Sequence, residues 1–208
     1  MSARVDRVVT SGIFSLDGQD FEVDNNVWLV GDDEEVLIVD AAHDADTILE
    51  AVGGRRVVGI VCTHSHNDHV NAVQALLTSI EAPVYLHPAD AMLWDVVNAG
   101  VPFTSLSDGD VLTVAGSPAQ MIHTPGHSPG GVCVYLPELG VLLSGDTLFH
   151  GGPGATGRSY SDFPTILDSI RERLLILPAE TRVLTGHGDE TTIGAEAGSY
   201  DDWVARGH

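Results

Sequence analysis

Short runs of apolar residues set between polar turns follow one another along this chain, and their spacing changes character from segment to segment. Asn26–Val30 and Glu35–Val39 have the length and β-branched content of strands. Ala45–Val52 reads as a helix closed by Gly53-Gly54. Val57–Cys62 is almost continuously apolar, as a strand buried on both faces would be. Over Val70–Ile80, Val73, Leu76, Leu77 and Ile80 recur at helical spacing, and a strand at Val84–His87 and a helix at Ala89–Val97 follow. From Phe103 to Leu143 the pattern becomes one of short strands broken by Asp-Gly, Gly-Ser-Pro and Pro-Gly turns. A glycine-rich stretch, Gly151–Gly157, precedes a helix at Thr165–Leu175, a strand at Arg182–Thr185 and a short tail. Strands interleaved with helices on both sides of a β-meander imply an α/β protein whose sheets are covered by helices.

Composition narrows the class. A length of 208 residues with 43% hydrophobic content fits one globular domain over residues 1–208. No apolar run approaches the roughly 18 residues that cross a bilayer. Met1–Arg7 carries charge with no apolar segment behind it, so a soluble cytoplasmic protein without a membrane partner is expected. The net charge of −21 excludes nucleic acid as the natural partner, because gripping a polyanion takes clustered cations. All nine basic residues are arginine, which points to genome composition rather than to function. Cys62 and Cys133 are isolated in apolar runs and read as small buried hydrophobes.

The chemistry concentrates in four places. Thr63-His64-Ser65-His66-Asn67-Asp68-His69 directly follows the buried strand and puts His64, His66, Asp68 and His69 in one short loop. Thr124-Pro125-Gly126-His127-Ser128 sets His127 in a turn. Asp146 ends the apolar run in Leu143-Ser144-Gly145-Asp146-Thr147, and His187 follows Thr185-Gly186 in the same way. A single strand-end histidine or aspartate is more often a hydrogen-bonded structural residue or a turn former. Together, imidazoles and carboxylates without thiolates make a donor set for zinc, iron, manganese or nickel rather than for a cysteine-rich structural site.

These pieces, in this order, resemble the metallo-β-lactamase superfamily, and most closely its compact glyoxalase II-like hydrolases, from Asn25 to His187. The resemblance implies an αββα sandwich, two mixed β-sheets face to face with helices on the outer faces and metals at one edge. It implies two divalent ions, zinc first, with iron or manganese also suited. His64, His66 and His127 match the ligands of one metal, Asp68, His69 and His187 those of the other, and Asp146 the carboxylate that bridges them. Gly145-Asp146-Thr147-Leu148-Phe149 and Gly186-His187-Gly188 resemble the thioesterase branch. His150, Arg158 and Tyr160 flank the glycine-rich loop where members line their substrate pockets. Val70-Asn71-Ala72 departs from the pattern, since the family often has glycines there. His87 and His123 read as hydrogen-bonded structural histidines, and His43 is assigned no role.

The chemistry so implied is hydrolysis by a metal-bridging hydroxide, with the same cations polarising the carbonyl and Asp68 orienting the nucleophile as the catalytic carboxylate. A thioester suits it, because a thiolate leaves with little protonation. The expectation is therefore a metal-dependent hydrolase, a thioesterase acting on a small acyl-thiol. A mononuclear iron persulfide dioxygenase is the alternative and a lactonase the third reading. A β-lactamase, which acts outside the cytoplasm, and a metal-binding module without activity rank below these. The charge of −21 also leads us to expect a thiol carrier less anionic than glutathione, such as a sugar-based thiol.

Overall fold

The computed structural model describes residues 3–207. The chain opens with a long antiparallel ribbon, β1 (Arg4–Leu16) and β2 (Gln19–Gly31), in register from Arg4↔Gly31 to Leu16↔Gln19. Asp17 and Gly18 join them, both at positive φ (53° and 74°), a turn that follows the right-handed twist of the strands. The sequence pattern shows only Asn26–Val30 of this ribbon. From Arg4 to Asp24 nearly every position is exposed or half-exposed, so no buried face leaves an alternating signature.

β3 (Glu35–Val39) follows β2, and helix α1 (Ala45–Val52) crosses to β4 (Arg56–Val61), which pairs parallel with β3. Asp44 caps α1 by accepting from the amides of Asp46 and Thr47, and Gly53 ends it in the left-handed conformation. The helix expected over Val70–Ile80 is split into α2 (Asn67–Val70) and α3 (Val73–Leu76). The break has a cause: the Ala72 amide donates to Ala41 O at 3.0 Å instead of continuing the helical ladder. β5 (Val84–Leu86), a 3₁₀ turn (Pro88–Asp90), α4 (Ala91–Val97) and β6 (Thr104–Ser105) complete a mixed sheet of order β1-β2-β3-β4-β5-β6.

The meander is present as β7 (Val111–Val114), β8 (Ser117–His123), β9 (Val132–Leu136) and β10 (Val141–Gly145). The glycine-rich stretch supplies β12 (Gly152–Pro153), which pairs with β11 (Leu148–Phe149). α5 (Phe163–Ser169) starts on an Asp162 cap, and its continuation Ile170–Leu174 widens to π geometry, with Leu175 N–H donating to Ile170 O. β13 (Arg182–Thr185) and β14 (Thr191–Thr192) close a second mixed sheet of order β14-β13-β10-β9-β8-β7. The tail is more ordered than the sequence suggests: α6 (Ile193–Ala197) and α7 (Tyr200–Arg206) follow, with Trp203 buried.

Three apolar layers make this an αββα sandwich. Trp28, Val30, Leu37, Val39 and Val61 of the first sheet face Met121, Val134, Leu143 and Leu184 of the second. Their neighbours one residue along, such as Leu29, Ile38 and Ile60, turn outward to pack with Ile48, Leu76 and Trp94 of the helices. Cys133, Leu142 and Val183 do the same against Ile166, Ile170 and Trp203. Burial on both faces is why these strands read as continuous apolar runs. Cys62 and Cys133 are both buried, as expected. Among the described residues no helix is long and apolar enough to cross a membrane.

Candidate metal centre

The predicted ligands come from four loops at the C-terminal ends of strands. β4 of the first sheet leads into His64, His66 and, at the start of α2, Asp68 and His69. In the second sheet His127 lies between β8 and β9, Asp146 follows β10, and His187 follows β13. All seven meet at one edge of the sandwich. Three groups form in which every potential ligand atom lies within 4.8 Å of the others: His64, His66 and His127; His64, His69 and Asp146; Asp68, His69 and His187. Asp146 joins them, with Oδ1 3.4 Å from His69 Nε2 and Oδ2 3.6 Å from His127 Nε2 and 3.5 Å from His187 Nε2.

The donor set fits a metal on physical grounds. His64 Nε2, His66 Nε2, Asp68 Oδ1 and Asp146 Oδ1 are buried without a hydrogen-bond partner. Each such atom costs about 1–3 kcal/mol to leave unpaired, more for a charge, so four in one place call for a cation. The histidine nitrogens turned away from the cluster are, by contrast, engaged. His64 Nδ1 meets Thr63 Oγ1 at 3.1 Å, His69 Nδ1 meets Asp40 Oδ2 at 2.9 Å, and His127 Nδ1 and His187 Nδ1 reach the carbonyls of Ala155 and Asp24, each at 2.8 Å. Such outer contacts fix the tautomer and the ring plane of a ligand. Gly186 is required by close approach, because a Cβ there would lie 2.2 Å from Asp146 Oδ1 and 2.7 Å from His69 Cε1.

Electrostatics prepare the same donors. Burial pushes the His64 imidazole well below its ordinary value, helped by His69 and His66, and burial with His127 takes His66 down to about 3. Both rings therefore present lone pairs. Burial alone would raise Asp68 and Asp146, but the neighbouring His69 and His187 outweigh it, holding Asp68 at about 2 and Asp146 well below the carboxylate range. The same attraction overcomes burial at His69, raised well above its ordinary value, and at His187, raised to about 10 mainly by Asp146. Those are protons that a metal cation would displace.

The metallo-β-lactamase superfamily model matches residues 21–187. The chain belongs to the metallo-β-lactamase superfamily. It is 35% identical to the probable metallo-hydrolase YqgX of Bacillus subtilis (strain 168), over 82% of this chain and 88% of the relative. It is 29% identical to the hydroxyacylglutathione hydrolase GloC of Haemophilus influenzae, over 82% and 89% respectively, a likeness to the compact glyoxalase II-like branch. Among solved structures, that of TTHA1623 in a di-iron-bound form is similar, with a TM-score of 0.76 and 35% identity over 84% of this chain and 93% of the other.

Of the three candidate substrate residues, the fold brings Arg158 to the site. It lines a cavity of about 40 Å³ with Phe14, Leu16, Ala155, Ser159 and Ser161 beside His66 and His127. Its guanidinium lies 4.9 Å from the centre of the Phe21 ring. His150 and Tyr160 are exposed and do not line this cavity. His87 and His123 stack with ring centres 4.0 Å apart. His87 Nδ1 accepts from the Ala89 amide, and His123 Nε2 donates to Pro129 O.

Three supporting carboxylates and amides escaped the sequence reading. Asp40, buried at the end of β3, accepts from Thr63 N and Thr63 Oγ1 as well as meeting His69. Asn25 Nδ2 donates to Asp68 Oδ2 at 3.1 Å. Asp90 accepts from Ser65 N, Ser128 Oγ and Gly130 N, joining the loop of His64 and His66 to that of His127. Asp40 carried a usable signal, since it ends an apolar strand just as Asp146 does.

Proposed function

We propose that the chain is a dinuclear metal-dependent hydrolase that cleaves an acyl-thiol to a carboxylate and a thiol. The observation that carries the reading is Asp146, whose two oxygens reach donors on both sides of a cluster rich in orphaned ligand atoms. His64, His66 and His127 would hold one divalent ion and Asp68, His69 and His187 the other, with Asp146 shared. Zinc suits this donor set, and iron or manganese suits it too. When bound, such cations supply Lewis acidity, lowering the pKa of water and polarising a thioester carbonyl.

The chain's own residues do the rest. Asp68, kept ionised by His69, His187 and Asn25, accepts a hydrogen bond from the attacking water and aims its oxygen at the carbonyl carbon. As that C–O bond forms, the water gives up one proton through Asp68. The C–S bond then breaks, the electron pair leaves on sulfur, the thiolate takes up that proton to become the thiol, and the acid's remaining proton is lost to solvent. Phe14, Leu16 and Ala155 give an apolar wall for the substrate, and Arg158 sets a cation at its rim. The cysteines offer no nucleophile, because burial pushes the Cys62 thiol well up and the Cys133 thiol to about 11.

The test combines elemental analysis of protein purified without chelators with a panel of matched acyl groups on glutathione, on a sugar-based thiol, and as lactones. About two metals per chain and thioester turnover are expected, with the less anionic thiol preferred. A stoichiometry that stays at one after metal supplementation, with oxygen consumed in the presence of a persulfide, would replace the hydrolase by the dioxygenase. Full metal content without turnover of any acyl-thiol would end the thioesterase reading.

A further inference from the structure

His43 lies outside the ligand set, yet the chain holds it in an unusual way. Its backbone has φ +57°, in the left-handed region that residues with a Cβ avoid. Asn71 pins it there: its Oδ1 accepts the His43 N–H at 2.6 Å, and its Nδ2 lies 3.1 Å from His43 Nδ1. On the far edge of the ring, His43 Nε2 is 2.9 Å from Asn25 Oδ1, and Asn25 Nδ2 in turn donates to Asp68 Oδ2. The ring is lodged against β1 at Gly12, where a Cβ would lie 2.2 Å from His43 Nδ1.

One arrangement of protons satisfies every contact. The Asp68 carboxylate only accepts, so Asn25 must give it the amide nitrogen and turn its oxygen to His43. His43 must then carry its proton on Nε2, which leaves Nδ1 to accept from Asn71. The orientation of Asn71 is fixed independently, because its oxygen takes the His43 backbone N–H. The imidazole is therefore neutral and in a single tautomer. Burial, which pushes His43 below its ordinary value, favours the same state.

We propose that His43 is a positioning residue which, through Asn25, fixes the rotation of the Asp68 carboxylate and with it the geometry of the second metal site. The inference rests on the ligand reading above, in which Asp68 acts with His69 and His187. A network in which each amide and each ring nitrogen has one permitted role resists rotation of its last member. Asp68 Oδ2 takes the Asn25 donation and lies 3.5 Å from His69 Nε2 and 3.3 Å from His187 Nε2, while Oδ1 has no partner, so a modest turn of the carboxylate would change which oxygen the second ion meets.

The experiment titrates the metal-stripped protein with Zn²⁺ against a chelating indicator and with Co²⁺, whose absorption bands report ligand geometry. It is run on wild type, His43→Gln, His43→Asn and Gly12→Ala. Glutamine can set an N–H where imidazole Nε2 stands and keep the bond to Asn25, whereas asparagine reaches only the Nδ1 position. Gly12→Ala displaces the ring without changing any polar group. We expect two Zn²⁺ in wild type, with the site of His64, His66 and His127 unaltered in every variant. Second-site affinity should fall about tenfold or more in His43→Asn and Gly12→Ala and recover largely in His43→Gln. The Co²⁺ bands of the second site should shift in the first two only, and kcat should fall there with KM little changed. Wild-type second-site affinity in folded His43→Asn and Gly12→Ala overturns the proposal, as does a loss in His43→Gln as large as in His43→Asn. Fewer than two ions in wild type would instead refute the ligand reading itself, and the role of His43 with it. Should His43→Asn not fold, Gly12→Ala against His43→Gln decides alone.

Discussion

Replacing Asp90 by asparagine should weaken the fold and the first metal site together. The Asp90 side chain is fully buried and accepts three hydrogen bonds, from Ser65 N at 3.0 Å, Ser128 Oγ at 2.8 Å and Gly130 N at 2.5 Å. Burial raises its pKa and the three donors oppose that rise. Ser65 sits between His64 and His66, and Ser128 is next to His127, so one carboxylate ties the loops that carry all three donors of the first group. Asparagine keeps one acceptor oxygen and sets an NH₂ group against a donor. Hydrogen bonds to a charged group are worth roughly 1.5–3 kcal/mol each, and an orphaned buried donor costs about 1–3 kcal/mol. Relief from burying a charge offsets part of this, leaving a loss of about 2–4 kcal/mol. At roughly 2–4 °C per kcal/mol for a domain of this size, Tm should fall by about 4–16 °C. Calorimetry of the metal-stripped protein measures that fall, and a Zn²⁺ titration should show the first site weakened more than the second. A variant that melts within about 2 °C of wild type and binds the first ion unchanged would refute the reasoning.

Asp146→Asn removes the charge that lies between His69, His127 and His187 and that the proposed function shares between the two ions, so turnover should fall about 10- to 100-fold or more with little change in circular dichroism. Near-normal turnover at full metal content would show that Asp146 is not shared. Cys62→Ala and Cys133→Ala should keep full activity per bound metal. An inactive but folded and metal-loaded variant at either position would overturn the water-based mechanism. His87 is pushed below its ordinary 6.5 by burial and by the stacked His123, with Asp108 opposing. The unfolded chain therefore takes up a proton near 6.5 that the folded chain refuses, and stability present above that pH is lost as pH falls below it. His87→Phe removes this loss, so its Tm relative to wild type should improve between about pH 7.5 and about pH 5.5. A difference that does not change with pH would count against the assignment.

How much of this was legible in the sequence depended on what each segment buries. β3, β4 and β10 are enclosed on both faces, and their apolar runs announce them. The β1–β2 ribbon buries little beyond its base, so only the Asp17-Gly18 turn and the pairing itself define it. The expected Val70–Ile80 helix was right in its apolar face, since Val73 and Leu76 are buried, and too long in its continuity. Its break comes from contacts with Ala41 and His43, residues about thirty positions away, and helical periodicity carries no trace of those.

The candidate site divides along a similar line. The clustered histidines and aspartates read through because an ion would restrict the residue types that can serve it, and the spacing of His64, His66, Asp68 and His69 leaves few other uses for such a loop. The residues that aim them answer to other side chains, not to an ion. Asp40 reaches His69 across 29 positions, Asp90 reaches Ser128 across 38, and Asn25 reaches Asp68 across 43. Only the parallel crossover that lays β3 beside β4, and the stacking of two sheets, closes those gaps. Such braces are also what the geometry demands. Four loops from two sheets must converge within a few ångströms, and loops are the least constrained parts of a fold. Outer nitrogens bonded to Thr63, Asp40, Ala155 and Asp24 set the rings before any cation arrives, so metal affinity is not spent on ordering the chain.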